Sequence, residues 1–172
     1  MKTVAVFFGG QSVEHDISII TGVLTLNSLD KEKYIPFPVY IDKSGVWYTG
    51  KQLFDLDNYK ALNYKILNRV TMVVGDNSIY SLKKLAVKKM ATIAVGVNCL
   101  HGERGEDGSL FGLLNMCGVP MASPTLAPSA VCIDKTLTKV FLKGVGVKAL
   151  KSVTLRSENE VEKYEKHIKF PK

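Results

Sequence analysis

Residues 91–100, ATIAVGVNCL, are almost unbroken in apolar side chains and end abruptly on the charged, glycine-spaced run HGERGEDG at residues 101–108. A strand that is apolar on both sides is buried on both faces, which places it inside a parallel sheet covered by helices. Parallel neighbours need crossover connections, and helical ones are the usual kind. The start of the chain supplies such a unit. Residues 3–8 are β-branched and aromatic up to Gly9-Gly10, and from Ser12 onward Val13, Ile17, Ile20 and Leu24 recur at helical spacing. The expectation is a strand, a glycine turn and a helix that lays this apolar stripe on the sheet.

Residues 34–41 read as a second strand, and Asp42-Lys43-Ser44-Gly45 as a turn into residues 46–48. Residues 70–74 and 79–82 flank Gly75-Asp76-Asn77-Ser78 as a further hairpin, while residues 51–69 carry no decisive pattern. A helix is expected from Ser109, with Leu110, Leu113, Leu114 and Cys117 on one face, ended by Gly118-Val119-Pro120. Short helices fit residues 126–131 and 134–143, the latter with Leu137, Val140 and Phe141 facing inward. A strand over 149–155, a polar helix over 158–167 and a turn toward another strand at 169–172 follow, so that the chain reads as cut rather than finished. The order predicts an α/β, Rossmann-like domain with a parallel sheet and helices on both faces. Gly144-Val145-Gly146 interrupts the pattern, which divides the chain into residues 1–144 and the beginning of a second domain, 145–172.

Composition narrows the function classes. With 172 residues, 46% hydrophobic and 23% charged, the chain has material for one core, or for one domain and the start of another. No apolar run approaches the roughly 20 residues that cross a bilayer, and the apolar stretch after Met1 is too short for a secretory signal, so a cytoplasmic protein without a membrane partner is expected. The 3 cysteines, Cys99, Cys117 and Cys132, are widely spaced with no C-x-x-C, which indicates free thiols and no zinc site. The formal charge of +7 comes from scattered lysines, and the densest group, Lys83, Lys84, Lys88 and Lys89, has no interleaved aromatics. Nucleic-acid binding is therefore not expected, and a solvated face or a general attraction for phosphate-bearing ligands is.

Two loops follow apolar strands and open helices, and in an open α/β sheet such loops meet at the carboxyl edge where ligands bind. In the first, residues 7–18, paired glycines allow close backbone approach, and Glu14 sits in the first helical turn off the Val13/Ile17 stripe. Its carboxylate either holds a substrate ammonium or complements the helix dipole. His15 and Asp16 are expected to be solvated. In the second loop, His101 heads a turn containing Glu103, Arg104, Glu106 and Asp107, and is the candidate for substrate contact. Glu106 and Asp107 either act directly, cap the next helix or pair with Arg104. Asp134-Lys135 opens a helix, where a lysine beside exposed backbone amides suits a phosphate. The sequence contains no G-x-x-x-x-G-K-[ST], G-x-G-x-x-G, G-x-S-x-G or H-E-x-x-H, which disfavours P-loop, dinucleotide, serine-hydrolase and zinc-protease chemistry.

Taken in order, GGQSVEHDIS at 9–18, LHGERGEDGSLFGLLNMCGVP at 100–120 and CIDKTLTK at 132–139 resemble the D-alanine–D-alanine ligase family, including its D-alanine–D-serine and D-lactate variants. The resemblance implies an amino-terminal α/β substrate domain followed by an ATP-grasp. It implies a reaction in which ATP phosphorylates the carboxylate of one D-alanine and the amine of a second attacks the acyl phosphate, for peptidoglycan synthesis. It implies Glu14 as the catalytic and substrate-binding acid that anchors the first ammonium, His101 as the histidine beside that substrate, and Lys135 as a lysine near ATP. It also implies ATP and Mg2+ as cofactors, both bound mainly by a region downstream of Lys172, a homodimer formed through the amino-terminal domain, and a fragment inactive by itself. Phe111 stands where the family commonly has glutamine, Asn115 where it has glutamate, and Met121-Ala122-Ser123 where it has an aromatic and a glycine. Two alternatives stay open: a non-catalytic α/β binding or dimerisation module on the same scaffold, and a different ATP-grasp ligase, against which the 101–108 loop argues.

Overall fold

The computed structural model describes residues 1–83 and 86–165. In chain order they form β1 (Lys2–Gly9), α1 (His15–Ser28), β2 (Tyr34–Ile41), β3 (Trp47–Thr49), three short 3-10 turns between Lys51 and Ile66, β4 (Asn68–Val73), β5 (Asp76–Lys83), β6 (Ala86–Thr92), β7 (Val95–Asn98), α2 (Ser109–Met116), β8 (Met121–Ala122), α3 (Leu126–Ile133), α4 (Lys135–Gly144), a 3-10 turn at Glu158–Glu160 and α5 (Val161–Glu165). They divide into two units, Met1–Ile133 and Asp134–Lys172.

The first unit holds one eight-stranded sheet in the order β6-β5-β4-β3-β2-β1-β7-β8. β2, β1, β7 and β8 run parallel, whereas β3 to β6 continue the sheet antiparallel from β2. The sheet is thus mixed, with the expected parallel part forming one half of it, from β2 to the β8 edge. β1 is buried on both faces because successive side chains point to opposite sides. Val4, Val6 and Phe8 pack with Ile19, Val23 and Leu26 of α1, while Ala5 and Phe7 pack with Leu110 and Leu114 of α2. Helices therefore cover both faces, and the central strand reads as a continuous apolar run.

Two expectations for this unit are corrected. The α1 stripe is turned the other way: Val13, Ile17, Ile20 and Leu24 are exposed, and His15, Ser18, Ile19, Gly22, Val23 and Leu26 are buried. A Cβ on Gly22 would stand 2.3 Å from Phe8 Cγ, so only glycine lets the helix lie this close to β1. Residues 91–100 are not one strand. β6 ends at Thr92 and pairs antiparallel with β5, Ile93 N donates to Asn77 O at 2.8 Å, Ala94 N donates to Thr3 O at 2.9 Å, and β7 then joins β1 in parallel. β6 lies at the sheet edge and carries Lys88 and Lys89, charges that oppose edge-to-edge pairing. Lys84 lies outside the described residues.

In the second unit, residues 149–155 form no strand. A strand needs a ladder partner for its N–H and C=O groups, and no other strand exists among the described residues of this unit. Leu137, Val140 and Phe141 of α4 are exposed rather than inward. The polar helix begins as a 3-10 turn and runs as α5 to Glu165, and its expected end at 166–167 lies outside the described residues, as does the 169–172 turn.

Candidate functional site

β1 is flanked by β2, reached through α1, and on its other side by β7, so the connections leave the carboxyl edge in opposite directions between β1 and β7. Such a switch point opens a crevice. The ladder ends at Phe7 opposite Asn98, with one further bond from Cys99 N to Phe7 O at 2.8 Å. Beyond it the fully buried Ser18 hydroxyl stands between the strands, accepting from Gly9 N at 2.8 Å and donating to Cys99 O at 2.7 Å. A helix side chain thereby satisfies strand groups that the divergence leaves unpaired.

The loops on either side are tied together. Ser12 Oγ donates to His101 O at 2.6 Å and accepts from Glu14 N at 3.1 Å. Glu14 is the N-cap residue of α1, yet its side chain makes no capping bond, so its exposed carboxylate is not spent on the helix. A Cβ on Gly102 would lie 3.2 Å from Ser12 Cβ and 3.5 Å from Glu14 Oε2, so the two loops pass close to each other at that glycine. His101 is half-buried, with Nε2 3.1 Å from Thr21 Oγ1 and Nδ1 3.7 Å from Glu106 Oε1. Thr21 donates its own proton to Ile17 O at 3.1 Å, so it is the acceptor for His101 Nε2–H. The imidazole is held between α1 and its own loop with Nδ1 toward Glu106.

The rest of the second loop is structural. Arg104 takes φ 66°, a conformation unfavourable for a side chain with a Cβ, and its guanidinium donates to Gln11 Oε1 across the crevice. Asp107 accepts from Arg104 N at 2.9 Å and from Ser109 N at 2.8 Å, which is the helix-capping role among those considered. Burial pushes its carboxyl up, but these amides and the Ser109 hydroxyl outweigh it and hold the group below the usual carboxylate range. Asn98 Nδ2 donates to Gly105 O at 2.9 Å, anchoring the turn to β7.

Two cavities meet at His101. One, of about 160 Å3, lies between the loops against Gly9, Gly10, Gln11, Leu100 and Arg104. It is smaller than the roughly 300–1,000 Å3 typical of drug-sized sites and suits a ligand the size of an amino acid. The other, of about 460 Å3, is lined by Thr21, Asn98, Glu106, Phe111 and Cys132. Phe111, one of the departures from the family pattern, makes part of that wall apolar. Burial raises the thiol of Cys99 in the same wall, as it does Cys117, in keeping with inert free cysteines.

Glu14 and His101 thus come from separate loops to one edge, His101 in the walls of both cavities and Glu14 in the wall of neither. Lys135 belongs to the second unit, where it is exposed. The amides beside it are not free: Thr136 N and Leu137 N donate to Asp134 Oδ1 at 2.7 and 3.0 Å, so the expectation of an open helix start is corrected there. His15 is also corrected, from solvated to buried, with Nδ1 2.5 Å from Gly10 O and Nε2 3.2 Å from Tyr40 Oη. Asp16 is exposed, 3.6 Å from Lys43 Nζ. Sequence reasoning missed Ser18 and His15 because the exposed apolar stripe of α1 was read as its packed face. The helix-interior glycine, Gly22, was the available sign of the true one.

The fold and its paired loops define an α/β domain in which two loops meet at the carboxyl edge of a sheet. A family model described as the D-ala D-ala ligase N-terminus matches residues 3–124, and the chain belongs to that family. It is 37% identical over 176 residues to a D-alanine–D-alanine ligase of Thermosipho melanesiensis, covering 99% of this chain and 48% of that protein. It is 34% identical over 148 residues to the vancomycin/teicoplanin A-type resistance protein VanA of Enterococcus faecium, covering 84% and 41%. The solved D-alanine–D-alanine ligase of Coxiella burnetii superposes with a TM-score of 0.79 at 28% identity, over 96% of this chain and 49% of that one. The Helicobacter pylori enzyme gives a TM-score of 0.81 at 25% identity, over 99% and 53%. The chain spans about half the length of the relatives it matches.

Proposed function

We propose that this chain is the amino-terminal part of an ATP-dependent ligase that joins two D-alanines for peptidoglycan synthesis in the cytoplasm. Its substrate domain ends between Ile133, where the first unit closes, and residue 144, and the residues that follow begin its ATP-grasp. The carrying observation is the 2.6 Å bond from Ser12 Oγ to His101 O, which holds the Glu14 and His101 loops over one crevice. In this reading the Glu14 carboxylate accepts hydrogen bonds from the ammonium of the first D-alanine, and His101, oriented by Thr21, stands beside the same substrate. Anchoring the ammonium leaves the substrate carboxylate to be activated, a positioning role rather than bond chemistry.

ATP supplies the phosphoryl group that converts that carboxylate to an acyl phosphate, which the second amine attacks. In this chain Lys135 is the residue proposed to approach the nucleotide, and only through its ammonium, because Asp134 occupies the neighbouring amides. The described residues contain no group of three or more His, Cys, Asp or Glu that could hold a metal, and the Mg2+ that the family resemblance implies is assigned in this reading mainly to the ATP-grasp. Dimerisation through this domain belongs to the same proposal.

The test is a thermal-shift comparison of D-alanine and L-alanine on the wild type and Glu14→Ala. The D-isomer is expected to stabilise the wild type selectively and Glu14→Ala no longer. Equal responses of both proteins to both isomers refute the assignment of Glu14. The 172-residue chain is expected to show no ATP- and D-alanine-dependent phosphate release, and robust turnover would overturn that part.

A further inference from the structure

We infer that His15 is a positioning residue for the crevice: its imidazole, held as the Nδ1–H tautomer, clamps the Gly9-Gly10 turn and thereby sets where the Glu14 carboxylate stands. This rests on the ligase reading above and adds to it a residue that does not touch the substrate.

An imidazole in the first turn of a helix is ordinarily solvated, and burying one costs free energy unless its nitrogens are bonded. His15 is 3% exposed and both nitrogens have partners. Gly10 O can only accept, so Nδ1 carries the proton. In the neutral ring Nε2 then has only a lone pair, and the Tyr40 hydroxyl donates to it at 3.2 Å. Tyr40, also buried, has the Tyr64 hydroxyl 3.4 Å from its oxygen, so donation runs in one direction from Tyr64 to Tyr40 to His15 to Gly10. Gly10 donates in turn to Ile41 O at 2.8 Å, and Gly9 to Ser18. Both glycines take positive φ, 91° and 92°, a region from which an unclamped glycine moves at little cost. Glu14 precedes His15 directly, so a displacement of the imidazole carries the carboxylate with it.

His15 lines a cavity shared with Asp16, Tyr40, Asp42, Lys43 and Tyr64, and is absent from the walls of both cavities that meet at His101. Any effect of His15 on the ligand must therefore pass through the loop.

The test uses the full-length protein with His15→Asn, whose amide N–H reaches the position of Nδ1, and His15→Gln, whose amide reaches only that of Nε2. The Asn variant is expected to keep the KM for the first D-alanine within about twofold, and the Gln variant to raise it about tenfold or more with kcat little changed, the pattern of a displaced binding group. A residue that merely stabilised the fold would lower the active fraction and leave KM alone. Equal behaviour of the two variants, or a loss confined to kcat, overturns the inference. A long-range 1H–15N spectrum of the substrate-free wild type is expected to show the Nδ1–H tautomer, and an Nε2–H ring overturns the inference independently. Should the wild type fail to join D-alanine, the ligase reading falls, and the spectrum together with amide exchange at Gly10 and Glu14 decides for His15. Faster exchange in the Gln than in the Asn variant supports the clamp, and equal exchange refutes it.

Discussion

Replacing Ser18 by alanine removes a single oxygen from a site with no solvent exposure, and that oxygen serves Gly9 N and Cys99 O together. Each backbone group left buried without a partner costs about 1–3 kcal/mol, so the pair amounts to roughly 2–6 kcal/mol. Alanine returns about 0.5 kcal/mol through its better helix propensity. The void is the size of one hydroxyl and too small for a water to replace the bonds. The net expectation is a loss of about 1.5–5.5 kcal/mol, against the ±0.5 kcal/mol usual for surface changes. Urea unfolding measures it: with a slope of about 2 kcal/mol per molar, the midpoint falls by roughly 0.8–2.8 M at unchanged slope. A loss below about 0.5 kcal/mol would refute the view that this hydroxyl bridges the diverging strands, and would mean that β1 and β7 relax into direct pairing.

Gly22→Ala should lower Tm despite alanine's helix propensity, because its Cβ would meet Phe8 at 2.3 Å. Overpacking of that kind costs about 1–3 kcal/mol, and an unchanged or raised Tm in a thermal melt would show that α1 is free to shift off β1. Asp107 makes a signed pH prediction. Its carboxyl is held below the ordinary value of 3.8 in the folded chain, so its stabilising contribution is complete above that pH and is lost as pH falls through the lower folded value. Acid unfolding of Asp107→Asn followed by circular dichroism should accordingly be shallower below about pH 4 than that of the wild type, and identical curves would remove Asp107 from the loop's supports.

Much of the architecture was legible in local pattern. β2 spans residues 34–41 as expected, the Asp42-Lys43-Ser44-Gly45 turn joins it to β3, and the HGERGEDG turn opens α2 at Ser109. Each rests on signals within a few residues: β-branched runs, glycines where φ turns positive, and an aspartate accepting from nearby amides. The strand expected at 149–155 had the right composition, but a ladder needs a second chain segment, which composition does not report.

By itself the sequence determined that the chain opens with a strand, a glycine turn and a helix, that two glycine loops would follow apolar strands, and that Glu14 and His101 would stand on those loops. Only the tertiary structure decided which side of α1 is packed. Where β1 and β7 part, Gly9 N and Cys99 O lose their ladder partners, the Gly10 carbonyl in the turn beyond β1 needs a donor, and the helix lying over that edge must offer them polar side chains. His15 and Ser18 are therefore inside while Val13, Ile17, Ile20 and Leu24 face outward. Hydrophobic periodicity measures the transfer of side chains from water, and it cannot register backbone groups that another part of the chain leaves unpaired.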